Sequence, residues 1–283
     1  MSTKSECPVT DPASVPNPLG DGKYIKTAGC LIIGDEVLNG KTKDTNSNFF
    51  AQFCFDLGID LIEVIADDED EIYDFVVTSG GIGPTHDDIT YESLGKAFGL
   101  PLEHDVETMR RMAALTTEKR RLELEAASPE EREARNRMAL FPLAKGGHGS
   151  DGQGGARSEL LFVSEDKWVP VLRLGGKLCV FPGIPSLFQQ LLLGLVPYLP
   201  LPPASSKPFR HLIFTKLHLT SRSFRSASRT RASVLDLGVH VSLIGHDVER
   251  VKELGREIAE KLDGEVISEG QLGDESAKAK PSL

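Results

Sequence analysis

The sequence predicts an α/β protein, with a mostly parallel sheet covered by helices and a smaller α+β unit in its last third. Three observations carry this. Short apolar runs alternate with amphipathic helical segments through most of the 283 residues, in the strand, loop, helix, strand order of parallel sheets. The third run opens into a glycine-rich loop, Thr78-Ser79-Gly80-Gly81-Ile82-Gly83. The last third turns to alternating apolar and polar residues, the period of a strand with one covered face.

Thr27–Ile33 is apolar, ends at Gly34 and reads as a buried first strand. After a polar loop, Phe49, Phe50, Phe53 and Leu57 share one helical face, and Gly58 stops that helix. Ile59–Ile65 is a second strand and Phe75–Thr78 a third. Thr90 is placed to cap a helix with Tyr91, Leu94 and Phe98 on its inner face, ended by Gly99. Val106–Ala139 is charged and helical, and Pro129 splits it. Ser128, Pro129 and Glu131 there make a helix restart signal. Lys145–Arg157 is a loop. Trp168–Leu174 and Lys177–Phe181 form a hairpin turned by Gly175-Gly176. Phe181-Pro182-Gly183-Ile184-Pro185 is a rigid turn, with Ser186 placed to cap the next helix. His211–Leu219, His240–Ile244 and Glu265–Ile267 read as strands. Asp247–Leu262 is an amphipathic helix facing inward through Val251, Leu254, Ile258 and Leu262. The expected organisation is a disordered lead-in over 1–22, an α/β domain over 23–205, a small α+β unit over 206–270 and a disordered tail over 271–283.

A net charge of −10 argues against a broad nucleic-acid surface or an anchor on anionic membranes. Cys7, Cys30, Cys54 and Cys179 are scattered, which fits buried free thiols rather than a zinc site or a disulfide framework. No run reaches the ~18 apolar residues of a membrane span. The N-terminus has neither a signal-peptide core nor an Arg-rich transit pattern, so a cytoplasmic protein is expected.

The chemistry concentrates at the strand ends. In open parallel sheets ligands bind beyond the carboxyl ends of the strands. Gly80, Gly81 and Gly83 let backbone N–H groups approach an anion, and the helix that follows turns its positive end to the same space. Asp87 and Asp88 would repel a phosphate unless a divalent cation, Mg²⁺ or similar, bridges them to it. The plain alternative is a Gly-rich turn with a solvated acidic cap. His86 is a candidate acid or base, or a packing residue of the loop. Asp67-Asp68-Glu69-Asp70-Glu71 follows the second strand, and Gly34-Asp35-Glu36 with Asp44-Thr45-Asn46 follows the first.

Together, Gly34–Gly40, Asp44-Thr45-Asn46-Ser47, Asp67-Asp68-Glu69 and the string from Thr78 to Asp88 resemble the molybdopterin-binding domain family (MoaB/Mog-like). The nearest branch is that of CinA-like proteins and the N-terminal part of eukaryotic FAD synthases. The resemblance continues at Asn136–Pro142, Phe181–Pro185 and Val239–Gly245. It implies a three-layer α/β/α fold, often oligomeric, with a shallow site for a pterin or dinucleotide. It also implies that Gly80, Gly81 and Gly83, with Ser79, face the phosphate or pterin, and that Gly34, Asp35, Glu36, Asn46, Pro182 and Gly183 complete the site. Asp67 and Asp88 match the family's paired acids, with Asp87 as a further metal ligand. Nothing resembles the separate adenylyltransferase domain of FAD synthases, so net FAD synthesis is not expected of this chain.

Two departures stand out. Only about eight residues separate Asp67 from Phe75, fewer than the ~10–12 a parallel crossover with its helix needs. A sheet face left exposed at residues such as Phe75, Val76 or Val77 is therefore expected. Thr220–Arg229 reads as basic low-complexity sequence where the family has ordered structure. The branch implies a metal-dependent diphosphatase acting on FAD or ADP-ribose-type dinucleotides. The alternatives are adenylylation of molybdopterin in molybdenum cofactor synthesis, or a pterin- or nucleotide-binding module without turnover.

Overall fold

The computed structural model describes residues 7–64, 73–143, 157–203, 207–216, 231–235 and 238–271. The chain divides into two compact units, one formed by Met1–Gln52 with Leu61–Pro200 and the other by Phe53–Asp60 with Leu201–Leu283.

The first unit starts with β1 (Thr27–Ile32), the short α1 (Asp35–Leu38) and α2 (Asn46–Leu57), whose last turns belong to the second unit. There follow β2 (Asp60–Val64), β3 (Phe75–Ser79), α3 (Thr90–Phe98), β4 (Leu102–His104), α4 (Val106–Ala114), α5 (Glu118–Ala126), α6 (Pro129–Arg137) and β5 (Leu140–Pro142). The unit closes with β6 (Ser158–Leu161), β7 (Val171–Leu174), β8 (Leu178–Phe181) and α7 (Pro185–Leu195). The main sheet has the order β2-β1-β3-β8-β7-β6, and β4 pairs with β5 in a separate ribbon. β1 runs parallel to β3 and β3 to β8, while β7 is antiparallel to both of its neighbours. The three adjacent parallel strands thus end on one edge, followed by Ile33-Gly34, Gly80 and Pro182 respectively.

One apolar cluster joins Tyr91 of α3, Met112 of α4 and Phe141 of β5 to Leu172, Leu174 and Val180 of the sheet. Tyr91 and Phe141 meet edge to face at 4.9 Å. Phe50 of α2 packs against Phe75 at 5.7 Å between ring centroids. Phe75 is 2% exposed and Val77 is fully buried, whereas Val76 is partly exposed. The expected exposure of this sheet face is therefore corrected at Phe75, which Phe50 of α2 covers, and at Val77. The short connection itself, with Asp67, lies outside the described residues, as do Asp68–Glu71 and the basic stretch Thr220–Arg229.

Local signals were met unevenly. The capping box forms as read, with Ser128 Oγ accepting from Glu131 N–H at 3.2 Å and Glu131 Oε2 accepting from Ser128 N–H at 2.8 Å. Gly99 closes α3 in the left-handed conformation. The hairpin over Gly175-Gly176 joins β7 to β8. Thr90 is not the cap of α3. It is the first helical residue, Ile89 holds the cap position, and the Thr90 hydroxyl donates to Gly80 O at 3.2 Å. Ser186 does not cap α7 either, since that helix starts at Pro185 behind Ile184. Proline supplies a preset φ there, and its missing N–H needs no partner in the first turn.

Within the segment 1–22, read from composition as a disordered lead-in, residues 7–10 are packed, while residues 11–22 are mostly exposed. Cys7 is 1% exposed. Thr10 N–H donates to Phe162 O at 2.9 Å, Phe162 N–H returns a 2.9 Å bond to Thr10 Oγ1, and the Tyr198 hydroxyl donates to Thr10 O at 2.6 Å. Arg111, buried with its guanidinium 4.0 Å from the Phe162 ring centre, donates to Pro8 O. The segment carries no apolar stripe of its own, and its order comes from hydrogen bonds to partners distant in sequence.

The second unit contains β9 (Phe209–Thr215), β10 (Arg231–Leu235), β11 (Gly238–Gly245), α8 (Val248–Lys261) and β12 (Glu265–Gln271). Its antiparallel sheet has the order β10-β11-β9-β12. β10 has no counterpart in the sequence reading. Asp247 caps α8 by accepting from Arg250 N–H at 3.0 Å. The innermost stripe of α8 is Val251, Gly255 and Ala259, with Ile258 and Leu262 beside it. All four cysteines are buried, and burial pushes the Cys30 and Cys179 thiols up to about 12. Among the described residues, no helix is long and apolar enough to cross a membrane.

Candidate functional site

The parallel strand ends are tied together by backbone bonds. Ile33 N–H donates to Ser79 O at 2.8 Å, and Gly80 N–H donates to Phe181 O at 2.9 Å. Asn46, the first residue of α2 and 6% exposed, completes the knot. Its Nδ2 donates to Ser79 Oγ and to Gly183 O, each at 2.9 Å. The Asn46 Oδ1 is buried and accepts no hydrogen bond among the described residues. Asp44 sets the start of α2, with Oδ1 accepting from Asn46 N–H at 2.9 Å and from Ser47 N–H at 3.1 Å. One carboxamide therefore joins the segments that follow β1 and β8 to the last residue of β3.

The glycine loop leaves β3 through two left-handed residues, Gly80 at φ 108° and Gly81 at φ 66°. A Cβ at Gly80 would collide with the Ile33 carbonyl oxygen, and one at Gly81 with the Thr90 hydroxyl. Only glycine fits this path. Thr90 N–H donates to Gly81 O at 3.0 Å and anchors the loop to the start of α3. The N–H groups of Gly81, Ile82 and Gly83 donate to no acceptor among the described residues. Consecutive free amides beside a helix N-terminus are what an anion needs.

Beyond the glycines the loop folds back on itself. Asp88 Oδ2 accepts the Thr85 N–H at 2.9 Å and also the Thr85 hydroxyl. Arg137, at the end of α6, donates through Nη2 to Thr85 O at 3.2 Å and to Asp88 O at 3.4 Å. His86 and Asp87 are exposed and Asp88 is partly so. Gly34, Asp35 and Glu36 form the entry to α1, and both acids are exposed.

The structure thus gathers Gly34, Asn46, Ser79, Gly80, Gly81, Gly83, Pro182 and Gly183 at one sheet edge. Asp87 and Asp88 lie on the same loop as the glycines, with Asp88 turned onto Thr85. Asp67 lies outside the described residues. Among the described residues, no group of three His, Cys, Asp or Glu side chains is arranged to hold a metal. Asp87 and Asp88 still offer hard oxygen donors of the kind Mg²⁺ takes, one or two carboxylates beside phosphate oxygens and water. The sequence reading missed Arg137, and nothing local in the sequence marks it. It also missed the capping role of Asp44, which the Asp-x-x-Ser spacing could have shown. Each outgoing segment carries one large exposed apolar side chain, Leu38 after β1, Ile89 after β3 and Ile184 after β8.

Comparison with known proteins gives the family. The family described as "Probable molybdopterin binding domain" matches residues 29–201, more than half of the chain. A "Probable FAD synthase" of Caenorhabditis elegans is 51% identical over 85 residues, covering 26% of this chain and 16% of that protein. The chain therefore aligns with less than a fifth of that relative's length. A "CinA-like protein" of Myxococcus xanthus is 32% identical over 179 residues, covering 59% of this chain and 38% of the relative. Among solved structures, the protein CinA of Thermoplasma acidophilum, described as of unknown function, is 26% identical with a TM-score of 0.43. That match covers 60% of this chain and 97% of that one.

Proposed function

Because the chain belongs to the molybdopterin-binding domain family, similar to CinA-like proteins and FAD synthases, we propose that it hydrolyses the diphosphate of FAD or ADP-ribose-type dinucleotides. The observation that carries this reading is the run of free amides at Gly81, Ile82 and Gly83 beside the start of α3. Three N–H dipoles held in place without an internal acceptor suit the oxygens of a diphosphate, and fixed dipoles cost no reorganisation as charge develops.

In this reading water adds to one phosphorus, the bridging P–O bond breaks, and two monophosphates leave. Asp88, Asp87 and Asp67 would hold a divalent cation, whose charge when bound polarises the diphosphate. Gly81–Gly83 hold the anion, and Asn46 keeps the end of β3 and the segment after β8 in register beneath it. His86, on the exposed face of the loop, takes the proton from water. Leu38, Ile89 and Ile184 give apolar surface to a flat ring.

The test is purified protein with FAD, ADP-ribose or NAD and a series of divalent metals, following release of AMP. Metal-dependent AMP release supports the reading, and none with any pair overturns it. One observation favours a binding module instead. The Asp88 carboxylate is already engaged by the Thr85 amide and hydroxyl. On that second reading FAD or a pterin binds and is not cleaved.

A further inference from the structure

A second recess reaches the glycine loop at Pro84. It has a volume of about 850 Å³ and is walled by α4, α5 and α6, with Pro84 of the loop at one side. That size falls in the ~300–1,000 Å³ range of small-molecule sites. Its apolar lining includes Met112, Leu115, Met138 and Trp168, an indole and two thioethers of the kind that pack on a flat ring. Arg120 and Arg135 also line it.

The charges inside are unevenly matched. Both acids of the lining are committed. Glu123 pairs with Arg120 at 2.8 Å, and Glu131 accepts from Ser128 N–H at 2.8 Å in the capping box. Among the described residues, Arg135 has only neutral acceptors, Met112 O at 3.0 Å and Thr116 Oγ1 at 2.9 Å. Burial, and then the neighbouring Arg120 charge, lower its pKa. A half-buried guanidinium beside a second one, with no carboxylate of its own, is stabilised by an incoming anion. The salt bridge to Glu123 uses one nitrogen of Arg120, and the planar fork has donors to spare.

We propose that this recess binds a nucleoside monophosphate, with the base on the Trp168 and methionine side and the phosphate between Arg120 and Arg135. The proposal rests on the diphosphatase reading only for the choice of a nucleotide, a product of that cleavage.

Trp168 is the only tryptophan of the chain, so the emission comes from a side chain that lines this recess. AMP, adenosine and inorganic phosphate are each titrated into the full chain in metal-free buffer. The expected result is a saturable change with AMP, at least about tenfold tighter than with adenosine or phosphate, since a charge-assisted contact is worth that much. Arg120→Gln, at a side chain 64% exposed and tolerant of change, and Arg135→Gln should each weaken AMP binding about tenfold. No saturable response to AMP, or unchanged affinity in a folded Arg120→Gln, overturns the proposal. If metal-dependent hydrolysis of FAD occurs while Trp168 never responds, this inference fails and the diphosphatase reading stands. If Trp168 responds while FAD is not cleaved, the reverse holds.

Discussion

Asn46 and Ser79 are joined by a buried 2.9 Å hydrogen bond from Nδ2 to Oγ, across 33 positions of sequence. The same Nδ2 reaches Gly183 O, so a single amide registers three strand ends. Asn46→Ala should lower stability by about 1–3 kcal/mol, because the bonds are lost and buried groups are left unpaired. It should also weaken FAD binding, since the loop loses its brace. Urea unfolding and equilibrium dialysis check the two effects. Wild-type values for both would remove Asn46 from the site.

The glycine loop separates two kinds of crowding. At Gly80 a Cβ meets the Ile33 backbone and φ is positive, so Gly80→Ala should cost roughly 2–4 kcal/mol. At Gly83 a Cβ lies 2.6 Å from Asp88 Oδ2, the movable end of a side chain. Gly83→Ala should therefore unfold at nearly the wild-type urea midpoint while shifting Asp88 and reducing turnover. Equal midpoints for the two variants would contradict this.

Asp88→Asn keeps an acceptor for the Thr85 N–H and removes the negative charge. On the diphosphatase reading AMP release should fall by roughly 10²–10³-fold, with stability within about 1 kcal/mol of wild type. Chelation with EDTA should abolish release in the wild type and be reversed by added metal. Unchanged turnover in the variant would refute the role of Asp88.

His211 gives the second unit a pH dependence. It is 2% exposed, and burial lowers its pKa below 6.5 against the opposing pull of Glu269, whose Oε2 lies 3.3 Å from Nδ1. Arg256 and Lys252 lower it further. Between the lowered value and 6.5 the unfolded chain binds more protons than the folded one, so stability falls as pH drops through that window. It levels off below the folded value. His211→Leu should flatten this part of the curve, measured by urea unfolding at a series of pH values. An unchanged slope would mean that other groups carry it.

Much of the fold was legible because its signals are local. Apolar runs ended by Gly34, Gly58 and Gly99 mark strands and helices within a few residues. Ser128-Pro129-Glu130-Glu131 marks a helix start through neighbours three positions apart. The glycine loop was legible because its path needs Gly80 and Gly81 whatever surrounds it. The caps of α3 and α7 were misread because Thr90 and Ser186 are suitable residue types, and type alone does not show which position enters the helix first.

The sequence by itself determined the strand and helix alternation, the anion-suited loop and the placement of Asp87 and Asp88 beside it. The tertiary structure alone decided that Asn46 would serve Ser79 and Gly183, that Arg137 would hold the loop carbonyls, and that Thr10 and Arg111 would tie down residues 7–10. Each of these is a hydrogen bond between groups far apart in the chain. Such a bond depends on where two elements meet in space, and neither partner's neighbours carry a periodicity or cap that records it.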